Sequence, residues 1–593
     1  MLDYKAKTAR NRENRVPSVL VLGEDTRSFL SVIRSLGRAG YEVHVVCYDR
    51  TSPALKSKYI SSAFFYNYQA HKQDEWLDNV VCLIERYKYD VIFPCDERSI
   101  YPLWQIRNHL PSETKLAISN QQALDVLFDK WKTKQVALQH DIPVARGELV
   151  DLRQRSYDQL REKYGDKFVV KPLQSFEMQS LERREKVLIV KSLQDYIDFT
   201  ESNSVDRSYL VEAYFQGNGE GLSVFSVDGN VKAAFSYRRL AEPDTGGGSS
   251  YRGSSEIDPE QLSAVELVCS ETNLTGLAMF EFRRNTDNNE WILVEVNARV
   301  WGGLPLAEVA GIDFPKMYCD YLCKGTVTNG IATTDNHVNA RALTADLYEI
   351  KREGEKILSE KGRGKSVLHM TNRIASIAKV VTKRESIDSL RLDDPKPFVA
   401  EMSEITNNIS VRIVASIPFL TLCRRKLIRH QLQNILLENP TRRILFICYG
   451  NIIRSPFAEK YFMAKMARSN VWADIDSFGF HLKEMRKSPQ IAISAAAQLQ
   501  CDLSEHTSKC ITQLDIRETD VLIYFDEKNK NMIESGYKVN HVYCAADFLD
   551  SSYPSLRQID DPYESDVETI KVCYEKIQNA LDNFVRIYKG AIQ

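Results

Sequence analysis

The sequence predicts a multidomain α/β protein, and three observations carry that reading. Its 593 residues suggest roughly four domains at ~150 residues each. Apolar runs alternate with helical patterns over residues 17–120, the β-α-β rhythm of a parallel sheet. Near the C-terminus, "RILFICYGNIIRSPFAEKYFMAKM" again reads as buried strand, tight loop and helix. A formal charge of −2 gives no general polyanion-binding character, so no nucleic-acid partner is expected. Twelve cysteines without paired spacing favour reduced thiols in a cytoplasmic protein over a disulfide framework. The charged N-terminus lacks the apolar core of a secretory signal. No stretch reaches the ~20 apolar residues of a membrane span.

Residues 17–120 form the first predicted domain. "SVLVL" is a strand ending at Gly23, "SFLSVIRSLGRAG" a helix and "YEVHVVCYD" a second buried strand. No G-x-G-x-x-G follows the first strand, so a dinucleotide site lacks its fingerprint. Asp96 and Glu97 end the strand "VIFPCDE", where α/β domains place ligands; helix capping explains the same acids equally well. "LGRAGYEV" and "VIFPCDE" resemble the domain that precedes the ATP-grasp fold in carbamoyl-phosphate-synthase-like ligases.

Residues 121–325 carry the next set of signals. In "EFRRNTDNNEWILVEVNAR", two strands flank a polar turn. Alternation sends Glu295, Asn297 and Arg299 to one face, and the hairpin brings Glu281 beside them. Two carboxylates and an amide oxygen are too few for a closed cage and suit Mg²⁺, which completes its octahedron with water and phosphate. Arg299 is placed to grip an anionic oxygen in a bidentate manner. A plain edge hairpin with a polar face is the competing reading. This E…E-x-N-x-R arrangement resembles the metal-binding hairpin of ATP-grasp ligases. So do "DKWKTKQVALQHDIPVA", "FVVKPL" and "SYLVEAYFQGNGEG". The resemblance implies an ATP site with Lys130 and Lys171 on the phosphates, and an adenine hinge at Glu212, Ala213 and Phe215. It puts Glu220 on the ribose and Mg²⁺ on Glu281, Glu295 and Asn297, with Arg299 catalytic. The segment "LQSFEMQSLERRE" lacks the glycines of the family's phosphate flap. The loop 243–255, "PDTGGGSSYRGSS", reads either as a lid with Arg252 as anion contact or as a long hairpin connection.

Residues 326–415 look like the C-terminal extension of the same ligases, with basic helices and no chemistry of their own. Residues 416–440 form a linker helix whose arginines interleave with leucines. Such a helix lies on an anionic membrane or, more often, packs between domains.

Residues 441–593 contain a second engine. Cys448 and Arg454 bracket a C-x₅-R loop between strand and helix, which aims its amides at one point and forms an anion nest. The same field favours the Cys448 thiolate as nucleophile. Arg454 grips phosphoryl oxygens, Ser455 donates to the sulfur as it leaves, and Asn451 tolerates a left-handed backbone. "ILFICYGNIIRSPFAE" closely resembles low-molecular-weight protein tyrosine phosphatases, and "DDPYESD" matches the element carrying their general acid, Asp561, and the aromatic wall Tyr563. Ile453 stands where the family commonly has a second cysteine, so the nucleophile lacks a vicinal disulfide partner. Cys501 and Cys510 suggest a lesser alternative, an arsenate-reductase-like use of distant cysteines.

The combined expectation is a bifunctional cytoplasmic enzyme. One half is an ATP- and Mg²⁺-dependent ligase joining a small-molecule carboxylate to an amine. The other is a phosphatase acting on a phosphotyrosine protein or a small phosphorylated substrate. Two rivals remain: a nucleotide-binding module that regulates the phosphatase, and a phosphatase that clears a phosphorylated product of the ligase. Residues 441–593 are expected to be a self-sufficient phosphatase.

Overall fold

The first apolar runs become strands of a parallel sheet in the computed structural model of the chain. The structure describes residues 16–66, 73–176, 181, 187–202, 207–242, 248–327, 331, 333–334, 336–377, 379–380, 385–416, 418–438, 443–467, 474–481, 485–517, 519–537, 539–554, 556–563 and 565–592. Two units emerge, Met1–Ser403 and Glu404–Gln593.

In the first unit, β1 (Ser18–Gly23), β2 (Glu42–Cys47), β3 (Ile60–Phe65), β4 (Val91–Pro94) and β5 (Lys115–Leu116) form a parallel sheet in the order β3-β2-β1-β4-β5. β1 is buried along its whole length, as a strand covered on both faces must be. The Asp25 carboxylate accepts from the N–H groups of Arg27 and Ser28, both at 2.6 Å, and so turns the chain from β1 into α1 (Ser28–Arg38). α2 (Glu97–Gln105) follows β4 and is capped by Asp96, which accepts from Ser99 N–H.

α3 (Lys130–Gln139) leads into a four-stranded antiparallel sheet, β6 (Gly147–Asp151), β7 (Phe168–Lys171), β8 (Leu188–Val190) and β9 (Ser208–Ala213), in the order β6-β9-β7-β8. A larger sheet comes next. Its strands are β10 (Asn218–Val227), β11 (Asn230–Ala241), β12 (Tyr251–Ser255), β13 (Gly276–Arg284), β14 (Trp291–Asn297), β15 (Asn339–Arg341) and β16 (Glu385–Ile387). They lie in the order β14-β13-β10-β11-β12-β15-β16. α4 (Pro259–Glu271) covers one face, over Leu222, Val224, Phe280 and Phe282. The other face carries Phe225, Phe235, Leu277 and Met279. These share one core with Val19, Val21 and Phe29 of the first sheet and with α5 (Leu304–Ala310) and α6 (Phe314–Lys324). The common core is what brings the end of β4 against the end of β14. α7 (Leu343–Lys361) and α8 (Arg363–Ile377) pair as a hairpin between β15 and β16. α9 (Lys396–Ser416) contains the division between the units.

In the second unit, α10 (Pro418–Glu438) precedes a parallel sheet of β17 (Ile444–Cys448), β18 (Ile475–Gly479), β19 (Val521–Tyr524) and β20 (His541–Cys544), in the order β18-β17-β19-β20. α11 (Arg454–Ala467), α12 (Gln490–Gln498), α13 (Glu527–Gly536) and α14 (Val567–Ile592) complete it. The linker helix is not a surface element here. Leu432 and Leu436 of α10 are fully buried in the same core as Phe446, Phe584 and Tyr588. Arg425 is also buried. A cut at residue 441 would remove Leu432 and Leu436 from this core. Among the described residues, no helix is long and apolar enough to cross a membrane.

Leu436→Ala should lower the unfolding free energy of the second unit by about 2–5 kcal/mol through lost burial and the cavity left behind. Denaturant titration of the full chain measures this, and an unchanged midpoint would remove α10 from the core.

Candidate active sites

In the first unit the chemistry gathers at the end of the β13–β14 hairpin. Glu281 and Glu295 are direct cross-strand partners, and Asn297 opposes Met279, so all three face the shared core rather than α4. A register shift between Glu281 and Phe282 makes room for the extra residue before Glu295. Burial and the adjacent Glu295 carboxylate push the Glu281 carboxyl above the usual carboxylate range, while Arg239, at 2.7 Å, pulls it down. Lys130 Nζ lies 3.6 Å from Glu295, and Asn297 Nδ2 donates to Glu295 at 3.3 Å. Arg299 donates to Asn297 Oδ1 at 3.1 Å and to the Val300 carbonyl, and pairs with Glu97 at 2.9 Å. The two acids at the end of β4 thus divide the work: Asp96 caps α2 and Glu97 holds Arg299.

Among the described residues, no three Asp, Glu, His or Cys side chains form a metal-holding group. Two carboxylates in register with an amide beside them form an open donor set, which fits a Mg²⁺ ion that keeps water and phosphate ligands. The side-by-side placement of the buried Glu281 carboxyl and Glu295 is the sign of that fit.

Lys171, at the end of β7, pairs with Glu212 at 2.6 Å, and Lys134 pairs with the other oxygen of that carboxylate at 2.7 Å. The two lysines hold the buried Glu212 carboxyl below its ordinary value against the cost of desolvation. Lys134 was not singled out from the sequence, although it lies one helical turn after Lys130 in the same "DKWKTK" run. Arg239 was missed as well, because its pairing with Glu281 crosses strands that are distant in sequence.

Three hinge and ribose expectations change. Glu212 spends its carboxylate on two lysines. Ala213 N–H already donates to the Arg146 carbonyl at 2.8 Å, leaving Phe215, half-buried in the turn after β9, as the hinge residue without such a commitment. Glu220 pairs in register with Phe282, so alternation turns it to the α4 face. There Arg284 Nε and Gln261 Nε2 hold it at 3.0 Å and 2.8 Å, away from Glu281 and Glu295. Arg252 is likewise not a lid contact: it is buried, 2.5 Å from Asp388, and donates to the Gly302 carbonyl. Residues 177–180 and 182–186 of the flap segment, including Arg183, lie outside the described residues, as do 243–247 of the glycine-rich loop.

In the second unit the loop between β17 and α11 closes around Cys448. Asn451 N–H donates to Cys448 Sγ at 3.2 Å, and Ser455 Oγ lies 3.0 Å from the same sulfur. Asn451 is fully buried at φ +49°. A side chain on Gly479 would meet Asn451 N and Tyr449 O at 2.8 Å, so glycine there permits the close approach of the loop. Lys509 N–H donates to Asn451 Oδ1 at 2.8 Å, which turns Asn451 Nδ2 toward Ser455 and Ser477, both at 2.9 Å. Ser477 passes its own proton to Glu459 at 2.5 Å. Ser455, already accepting, has its O–H left for the sulfur, with the rival Phe478 carbonyl at 3.4 Å. His506 completes the support at 2.8 Å from the Asn451 carbonyl.

Arg454 is buried and held from two directions. Its Nη1 donates to Asp526 at 2.6 Å and to the Ile559 carbonyl at 2.9 Å, and Nη2 lies 2.6 Å from Asp561. Its Nε has no hydrogen-bond partner among the described residues. Asp561 is more exposed, and Tyr563 is largely in solvent. Ile453, Cys501 and Cys510 are buried. The sequence singled out Cys448, Asn451, Arg454, Ser455 and Asp561. It missed Asp526, which holds the Arg454 guanidinium, and Ser477 and His506, which act through the side-chain amide and carbonyl of Asn451.

Residues 443–591 match the family model of low molecular weight phosphotyrosine protein phosphatase. Residues 206–345 match the model described as ATP-grasp in the biosynthetic pathway with Ter operon. The low molecular weight phosphotyrosine protein phosphatase of Sus scrofa is 30% identical over 141 residues, covering 22% of this chain and 89% of that protein. The Homo sapiens protein of the same name is 32% identical over 143 residues, with the same coverage. Among solved structures, the biotin carboxylase domain of Hydrogenobacter thermophilus 2-oxoglutarate carboxylase is similar at 15% identity and a TM-score of 0.44, covering 54% of this chain and 73% of that one.

Burial lowers the His506 pKa from its ordinary 6.5. Below that value the unfolded chain takes up a proton that the folded one does not, so stability falls as pH falls below about 6.5. Denaturant midpoints of the wild type should drop over this window, and His506→Gln should flatten the drop. Equal slopes would show His506 to be already charged in the fold.

Proposed function

The chain belongs to the low molecular weight phosphotyrosine protein phosphatase family and carries an ATP-grasp ligase domain before it, and on that premise we propose one enzyme with an acylphosphate chemistry and a phosphocysteine chemistry. The phosphatase reading rests on one observation. Cys448 Sγ sits under an amide and a hydroxyl donor beside a buried Arg454 whose Nε has no hydrogen-bond partner among the described residues. The Cys448 thiolate attacks phosphorus while Arg454 and the loop amides hold the non-bridging oxygens. The ester P–O bond breaks, and Asp561 gives its proton to the departing oxygen. Water then attacks the phosphocysteine, Asp561 takes a proton from it, and Ser455 donates to the sulfur that leaves.

The ligase reading is supported by the in-register pair Glu281 and Glu295 with Lys130 beside Glu295, and by Lys171 at the end of β7 on Glu212. Glu281, Glu295 and Asn297 would hold Mg²⁺, which supplies charge neutralisation for a nucleoside triphosphate. Lys130 and Lys171 supply further positive charge, and Phe215 lies on the hinge. Arg299, anchored by Glu97, would meet an anionic oxygen of the substrate. The carboxylate of a small substrate takes the γ-phosphoryl group, and an amine displaces phosphate from the resulting acylphosphate.

Glu295→Gln should abolish Mg²⁺-dependent ADP release with the fold intact by circular dichroism; undiminished release would sink the metal assignment. Cys448→Ser should abolish aryl phosphate hydrolysis, because a hydroxyl is far less ionised than a thiol. Asp561→Asn should slow phenyl phosphate by about 10²–10⁴-fold and nitrophenyl phosphate much less, since only the poor leaving group needs a proton. Equal slowing of the two esters would take the acid role away from Asp561.

A further inference from the structure

α10 lies outside the residues that match the phosphatase family, yet it grips the segment leading to the catalytic acid. Arg425, only 2% exposed, donates from Nη1 to the carbonyls of Leu549 and Asp550 at 3.2 and 3.0 Å, and from Nη2 to that of Leu556 at 2.5 Å. Arg429 donates to the carbonyls of Asp547 and Leu549 at 3.2 and 2.5 Å. Arg424 pairs with the buried Asp547 carboxylate at 3.1 Å. Two successive turns of one helix thus hold this segment, through the carbonyls of Asp547, Leu549, Asp550 and Leu556 and the Asp547 carboxylate.

The far side of that segment is tied to α14. Asn579 Nδ2 donates to Asp550 Oδ2 at 2.8 Å, and Asn583 Nδ2 to the Phe548 carbonyl at 2.8 Å. Beyond Asp550, Cys573 Sγ of α14 reaches the Asp560 carbonyl at 3.8 Å and the Ile559 N–H donates to the Phe525 carbonyl at 2.8 Å. Leu556, three residues before Ile559 and five before Asp561, is held through its carbonyl by Arg425. Ile559 and Asp561 are the residues that meet Arg454. Guanidinium groups that donate to three carbonyls in a dry setting fix backbone position well, because each donor lost leaves a buried acceptor unpaired.

We propose that Arg425, with Arg429, is a positioning residue of the phosphatase: α10 sets the 547–556 segment so that Asp561 stands at the phosphoryl site. The chain immediately before the phosphatase thereby controls proton delivery to the leaving group. This rests on the reading of Asp561 as the general acid.

The test uses full-chain Arg425→Met, with Leu436→Ala as a control that weakens the same helix without touching the segment, and Asp561→Asn as reference. kcat/KM is measured for phenyl and nitrophenyl phosphate, alongside thermal unfolding. Arg425→Met should slow phenyl phosphate about ten-fold more than nitrophenyl phosphate, a fraction of the full general-acid effect. Leu436→Ala should lower the unfolding temperature while keeping the wild-type ratio of the two esters. If Arg425→Met does not fold, Arg425→Lys carries the test. It keeps the charge but not the planar fork, and should shift the ratio in the same direction. An unchanged ratio in the folded Arg425 variant, with Asp561→Asn showing its strong leaving-group effect, overturns the positioning role. No leaving-group effect in Asp561→Asn overturns the acid assignment beneath it.

Discussion

Charges taken out of water have to be answered, and both units are arranged around that demand. Glu212 lies buried between Lys134 and Lys171, Arg252 against Asp388, Arg341 against Asp346, and Arg454 between Asp526 and Asp561. Removing one partner from such a set would leave an uncompensated ion, which costs far more than the pair gains. The sets are therefore fixed points around which loops and strand ends are placed. Two places are less fully answered. Glu281 and Glu295 stand side by side, with Arg239 on the first and Lys130 3.6 Å from the second, and Arg454 Nε has no hydrogen-bond partner among the described residues.

The two sites reach preorganisation by different means. The hairpin relies on a sheet: strand alternation and cross-strand register put three side chains on one face, and Glu97 at the start of α2 holds Arg299 just beyond the end of the hairpin. The cysteine loop relies on a polar network. One amide, Asn451, is pinned by Lys509 N–H and thereby sets the proton direction of two serines. Orientation in the first case comes from packing, and in the second from counting donors and acceptors.

α10 joins these themes. Its leucines supply part of a hydrophobic core, while its arginines satisfy carbonyls of a segment with little regular structure of its own. A basic amphipathic pattern is compatible with a membrane surface or a protein interior. Here the arginines face inward, because buried carbonyls provide the acceptors that water would otherwise supply.

How much of this was legible in the sequence depended on the range of the interaction. The parallel sheets, the hairpin and the strand–loop–helix around Cys448 rest on local patterns of period two or three to four, so the residues alone determined them. The same holds for the spacing of Cys448, Arg454 and Ser455 and for the convergence of Glu295 and Asn297. What depended on long-range register was decided only by the tertiary structure. Glu220 resembled a ribose ligand in its local context, but its strand pairing turned it to the α4 face and into the grip of Arg284. Arg252 sat in a glycine-rich stretch that read either as a mobile lid or as a long hairpin connection, and Asp388, 136 residues away, buries it. Lys134, Arg239, Asp526 and Arg425 acquire their meaning from partners distant in the chain. No local pattern encodes which of many charged side chains will be dehydrated together, because that is settled by how the sheets and helices close over them.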